Sequence, residues 1–137
     1  MAEVRGVIPY VFCADAGAVA EWCTATLGWT EGGRWSNDDG IVTNVELVLG
    51  GGSEVWLDGP VPDWHERTGG IGSWVGVVVD DVDAVHARLV AAGHEVPEPS
   101  NRPFGVRELS VTDPEGHRWG FIQRLPSPPG EGPAAPA

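Results

Sequence analysis

The stretch "IGSWVGVVVDDVDAVHARLVAAG", Ile71 to Gly93, sets a strand, a capped turn and a helix end to end. Its valine-rich run suits a pleated strand. Asp80 or Asp81 then supplies an acceptor for the orphan amides of a helix N-terminus, and the helix stops at Gly93. The strand opens with Trp74, and the same face continues through Gly76 and Val78. A large indole therefore adjoins a position with no side chain, which implies a wall beside a space.

The same order occurs earlier in the chain. "VFCADAGAVAEWC", from Val11, superimposes without a gap on "VVVDDVDAVHARL", from Val77, matching Asp15 to Asp81 and Val19 to Val85 and placing Ile8 opposite Trp74. In the first half the strand "VRGVIPYVFCA" leads to a helix, "AGAVAEWCTATL", that ends at Gly28. "WTEGGRWS" and "IVTNVELVLG" flank the turn "NDDG", and "SEVWLD" follows "GGG", a meander of antiparallel strands. "GPVPDWHERTGGIG" reads as a Pro/Gly-rich linker. In the second half the helix is followed by a short "HEVP" strand, the loop "EPSNRPFG", the strand "VRELSVT", the turn "DPEG" and the last strand "HRWGFIQR". The expected organisation is one domain over residues 1–125, with repeats at about 4–58 and 72–124 and a disordered Pro-rich tail over 126–137. Each half is expected to curl one sheet around one helix, leaving a concave face that neither helix covers.

Composition narrows the partners. The 137 residues carry 20 acidic and 8 basic side chains, every basic one an arginine, for a formal net charge of -12. Phosphate backbones and anionic lipid surfaces repel such a chain, so neither nucleic acid nor membrane is expected as a partner. Acidity alone is read as solubility rather than as a sign of a cationic ligand. The apolar runs are too short to span a bilayer, and "MAEVRG" lacks the order of a signal peptide, which predicts a cytoplasmic protein. Cys13 and Cys23 have the spacing of neither a zinc site nor a disulfide framework and are expected to be small buried hydrophobes.

"FGVRELSVTDPEGHRWGF" resembles the closing pattern of the vicinal oxygen chelate superfamily, and "DAGAVAEWCTATLGW" and "VVVDDVDAVHARLVAAG" resemble its two helix starts. That superfamily includes glyoxalase I, extradiol dioxygenases, fosfomycin-modifying enzymes and bleomycin-resistance proteins. The resemblance runs roughly from Gly6 to Gln123. It implies an α+β fold of paired βαβββ modules, a curled mixed sheet with a concave ligand cavity, and homodimers whose pockets use both chains. Its enzymes hold a divalent metal with His and Glu from the first and last strand of each module. Here those positions fall on Ile8, on Glu54 or Trp56, on Trp74 and on Gly120. One carboxylate does not make a metal site, so the resemblance implies an apolar slot with no metal, no cofactor and no catalytic residue.

Strand alternation places Ile8, Tyr10 and Phe12 on one face of the first strand, with Trp74 as the repeat counterpart, and Glu54 with Trp56 on another. A tryptophan in a small domain ordinarily fills the core. The face opposite the helices is expected to be open, however, which makes these residues candidate ligand contacts. Of the seven tryptophans, Trp22 and Trp119 are assigned to the core, and Trp29 to either role. Trp35 stands near a hairpin end, where it meets a ligand, a neighbouring strand or a second chain. Trp64, in the linker beside His65, either closes over a ligand or packs on its own loop. Arg107 matches the family's arginine before the seventh strand and bonds either a ligand carbonyl or a structural carboxylate. His117 is assigned to turn chemistry, and no nucleophile–base pair or phosphate loop is evident.

The expected function is non-enzymatic binding and sequestration of a cytotoxic small-molecule antibiotic that confers self-resistance. Aromatic walls suit a planar or polycyclic ligand, for example of the bleomycin, mitomycin or anthraquinone-fused enediyne type. The preference for Arg over Lys, with abundant Gly, Ala, Val and Pro, points to a high-GC genome, where antibiotic producers are common. The alternatives are a metal-dependent or metal-free lyase, isomerase or dioxygenase of the same superfamily, with Glu54 as the base in the metal-free case, and a regulatory or scaffolding dimer.

Overall fold

The computed structural model describes residues 3–69 and 74–126. Two four-stranded sheets repeat one strand order, β1-β4-β3-β2 in the first and β5-β8-β7-β6 in the second. The first compact unit takes the described residues up to 69 together with Pro114–Gly116; the second takes Trp74–Asp113 and residues 117–126.

In the first unit, β1 (Tyr10–Phe12) is followed by α1 (Ala16–Trp22), whose last turn, Cys23–Leu27, widens to π geometry before Gly28. The Asp15 carboxylate accepts the Ala18 amide at 3.0 Å, as a cap should. Strands β2 (Thr30–Ser36), β3 (Val42–Gly50) and β4 (Ser53–Asp58) form the expected antiparallel meander, and β1 joins β4 in parallel. Alternation sorts the faces. Val11, Val45, Leu47, Val55 and Leu57 are buried on the side of α1, with Val19, Ala20 and Cys23 facing them. Cys13 and Cys23 are fully buried and not joined in a disulfide.

Two expectations change in this unit. The first strand keeps only three of its expected residues, because Gly6 favours no extended pairing and Pro9 has no amide to give to a ladder. Val4 and Val7 are correspondingly 85% exposed. The linker contains a short helix, α2 (Trp64–Thr68).

The second unit repeats the plan with β5 (Trp74–Val78), α3 (Val82–Ala91), β6 (Ser100–Arg102), β7 (Val106–Thr112) and β8 (Arg118–Arg124). Of the two candidate caps, Asp81 is the one used, accepting the Ala84 amide at 3.1 Å. The Gln123 side chain accepts the Val82 amide at 2.9 Å and ties the helix start to β8. The core includes Val82, Leu89, Val106, Leu109, Val111, Trp119 and Phe121. Trp119 is fully buried as expected, and its indole N–H donates to Asp113 at 3.0 Å. His117, also buried, sits 2.8 Å from the same carboxylate, so its role is turn chemistry. "HEVP" is not a strand. The sixth strand forms at Ser100–Arg102 instead, beyond Pro97 and Pro99, whose missing amides leave nothing to pair. Residues 127–137 of the expected tail, and Ser73 of the expected fifth strand, lie outside the described residues.

Candidate ligand-binding faces

The face of the second sheet turned away from α3 answers the wall-and-space pattern. Trp74 pairs with Arg118, Gly76 with Gly120, and Val78 with Ile122, so the row beside Trp74 is glycine on both strands. The indole leans into it: a Cβ built on Gly120 would stand 2.6 Å from Trp74 Nε1. On the indole's other contact, the Arg118 guanidinium lies 4.8 Å from the ring centroid, a cation–π distance. Trp74 is still 63% exposed. Beside it runs a groove of about 300 Å³ lined by Trp74, Glu108, Ser110, Arg118, Gly120 and Ile122 among others. Sequence reasoning found Trp74 and Gly120 but not Arg118, which is recognisable only through its register with Trp74.

The corresponding face of the first sheet carries Tyr10, Phe12 and Trp56, with Ile8 continuing the parity just before β1. Tyr10 and Trp56 are cross-strand partners with centroids 5.4 Å apart and planes at 54°. Phe12 and Trp35 are about half exposed. Glu54 accepts the Trp56 indole N–H at 3.2 Å. Glu46 and Asp58 share this face, since Glu46 pairs with Trp56, and Asp58 with Phe12. Arg34 does not share it: it pairs with buried Val45 and is held by Glu31 at 2.7 Å. That hydrogen-bonded pairing lowers the Glu31 pKa and raises that of Arg34.

Two sequence candidates stand apart from these faces. Arg107 lies on the α3 side of β7, where it grips Asp83 through two bonds of 2.8 and 3.0 Å and also donates to Asn101. Hydrogen bonding by the guanidinium, then its charge, holds the Asp83 carboxyl below the usual carboxylate range. Trp64 is 5% exposed, with its indole N–H given to Glu115 at 2.9 Å. Glu115 escaped sequence reasoning altogether. Its carboxylate also accepts the amides of Ala14 and Asp15, at 2.7 and 2.8 Å, where the chain enters α1.

The strand registers also settle which residue of β4 corresponds to Gly120. Tyr10 pairs with Trp56 as its repeat counterpart Gly76 pairs with Gly120, so Trp56, not Glu54, is the match. The four positions that the family resemblance assigns to a divalent ion are then Ile8, Trp56, Trp74 and Gly120. None offers a carboxylate or imidazole, so the residues present do not fit a metal.

A family profile described as the Glyoxalase/Bleomycin resistance protein/Dioxygenase superfamily matches residues 7–121. Among solved structures, the chain is similar to TnmS3, an antibiotic binding protein from Streptomyces sp. CB03234, with 24% identity, TM-score 0.73 and coverage of 90% of this chain and 98% of that one. It is also similar to TioX from Micromonospora sp. ML1, with 25% identity, TM-score 0.70 and coverage of 89% and 100%. A glyoxalase/bleomycin resistance protein from Streptomyces sp. CB03234 shows 26% identity, TM-score 0.66 and coverage of 85% and 97%. No curated protein matches the chain in sequence.

Proposed function

Because the chain belongs to the Glyoxalase/Bleomycin resistance protein/Dioxygenase superfamily, we propose that it binds and sequesters a planar aromatic antibiotic in the cytoplasm without turning it over. The observation that carries this reading is Trp74, a 63% exposed indole laid against a glycine row at the edge of a groove. Leaving so large an apolar ring in water is unfavourable unless a partner covers it. A flat π-system placed there removes both surfaces from water and gains offset stacking. The absence of metal donors at the family's ligand positions favours capture over the family's metal-dependent reactions. Likeness to an antibiotic binding protein supports the same reading at the level of fold.

Capture protects a cell only when it is tight and stoichiometric, on the order of nanomolar Kd, or about 12 kcal/mol. The test is calorimetric titration of the full chain with a panel of bleomycin-type, mitomycin and anthraquinone-fused enediyne compounds, with the ligand recovered and analysed afterwards. Saturable binding with the ligand recovered unchanged is expected. Chemical conversion of the ligand, or no binding across the panel, would overturn the reading.

A further inference from the structure

We propose that the open face of the first sheet is a site for an organic cation, with Glu46 supplying the counter-charge inside an aromatic cage. This rests on the reading that the protein captures an aromatic small molecule, and it names the charge that molecule carries.

The cage follows from register. One row across the sheet runs Gly33, Glu46, Trp56, Tyr10. The glycine at its end is occupied from the neighbouring position: a Cβ on Gly33 would stand 2.7 Å from Cη2 of Trp35 and 3.5 Å from Oε2 of Glu46. The Trp35 ring therefore folds back along β2 over Gly33, the position that the Glu46 carboxylate also approaches, while Trp56 is the partner of Glu46 on the next strand. Tyr10 follows at 5.4 Å from Trp56. The next row repeats the chemistry with Trp35, Asn44, Asp58 and Phe12.

Charge decides what fits. Aromatic faces are electron-rich and attract ammonium, pyridinium or guanidinium groups, the more so beside a carboxylate. Among the described residues, no hydrogen-bond donor or cation reaches the side-chain carboxylate of Glu46 or Asp58, and the only arginine of β2, Arg34, is held on the other face by Glu31. A neutral ligand covering Glu46 would strip water from a carboxylate and give nothing back, and an anion would be repelled outright. The net charge of -12 draws cations in from solution. Composition by itself reads as solubility; the placement of Glu46 in one row with Trp56, beside the glycine that Trp35 covers, is what turns that charge into recognition. The groove of the second unit differs, since Arg102 and Arg118 share it with Glu98 and Glu108.

The test uses two probes of one shape, N-methylquinolinium and uncharged 1-methylnaphthalene, titrated into the full chain and followed by the indole N–H signals in NMR. Trp35→Phe and Trp56→Phe assign the two relevant signals. The cation should bind about tenfold tighter than the hydrocarbon and shift the signals of Trp35 and Trp56. Glu46→Gln should lower affinity for the cation by about tenfold and should not lower that for the hydrocarbon, which no longer strips water from a carboxylate, with an unchanged melting temperature. Equal affinity for both probes, or no loss in Glu46→Gln, overturns the cation site while capture of planar aromatics stands. Shifts at Trp74 alone overturn its location. No binding of either probe by the folded protein overturns the cation site and counts equally against capture.

Discussion

Trp74 is held from two directions, by the absence of a side chain at Gly120 and by the Arg118 guanidinium. A ligand stacking on it must share or displace that guanidinium, so Arg118 sets what the indole will accept. Trp74→Ala should weaken antibiotic binding by roughly 1 to 3 kcal/mol, about tenfold to hundredfold in Kd, measured by titration. Folding stability should change much less, because the indole is already 63% exposed. Trp119→Ala is the contrasting core variant: its ring is fully buried and feeds the Asp113 carboxylate, so truncation should cost about 3 to 5 kcal/mol in denaturant unfolding. The reverse pattern would invert the assignment of faces. The face of Trp74 was legible because alternation needs only a residue's place in its own strand. Arg118 and Glu46 were not, since each acquires its meaning from a cross-strand neighbour whose register the sequence does not print. Arg107 shows the converse: its parity with buried Leu109 and Val111 already turns it toward α3, and only the family's pattern argued otherwise.

The Asp15 cap, the Asp80–Asp81 pair that contains the second cap, and most strands could be read directly, because a cap depends on one side chain and the next three residues, and a strand on its own alternation. The elements that sequence reasoning missed depend on contacts from far along the chain. Helix α2 is too short to show a period, and it is fixed by Trp64 burying its ring and bonding Glu115. Glu115 takes the amides of Ala14 and Asp15 as well, so one carboxylate serves three donors at the entry to α1. Glu115→Ala should lower stability by about 1.5 to 3 kcal/mol in chemical denaturation, because charge-assisted bonds are lost and the indole N–H of Trp64 is left without this acceptor. An unchanged midpoint would show that water replaces the carboxylate. The clip between α3 and β7 makes a pH prediction. Because Arg107 depresses the Asp83 pKa, the clip stabilises the fold above the carboxyl's ordinary value and is lost as pH falls through the lowered one. Melting temperatures of the wild type and Asp83→Asn should therefore differ slightly at neutral pH and converge in acid, as Asp83 protonates below the ordinary carboxylate range; Asp83 is solvent-exposed, so the difference is small. A gap that stays constant with pH would show that the pair acts through packing alone.

At the scale of the molecule, the duplicated strand order was recoverable from the chain because the repeat preserves Asp15 and Asp81 in one register with the strands that precede them. The repeat also explains how one fold yields two chemically different faces. Equivalent rows hold Tyr10 and Trp56 in one sheet and Gly76 and Gly120 in the other, so one carries its own aromatic rings and the other receives the Trp74 indole from the adjacent row. Neither face is finished within its own unit: Tyr10, Phe12, Trp35 and Trp74 are each about half exposed or more. Four large aromatic rings in water favour association, and a second copy of the chain is the partner always present at equal concentration. The expected state is a homodimer whose pockets draw on both chains. Sedimentation velocity at micromolar concentration should give the dimer mass, and dilution into the dissociating range should weaken ligand binding in step with the loss of dimer, because a pocket shared between chains disappears when they part. A monomer that binds with undiminished affinity at every concentration would place the whole site within a single chain.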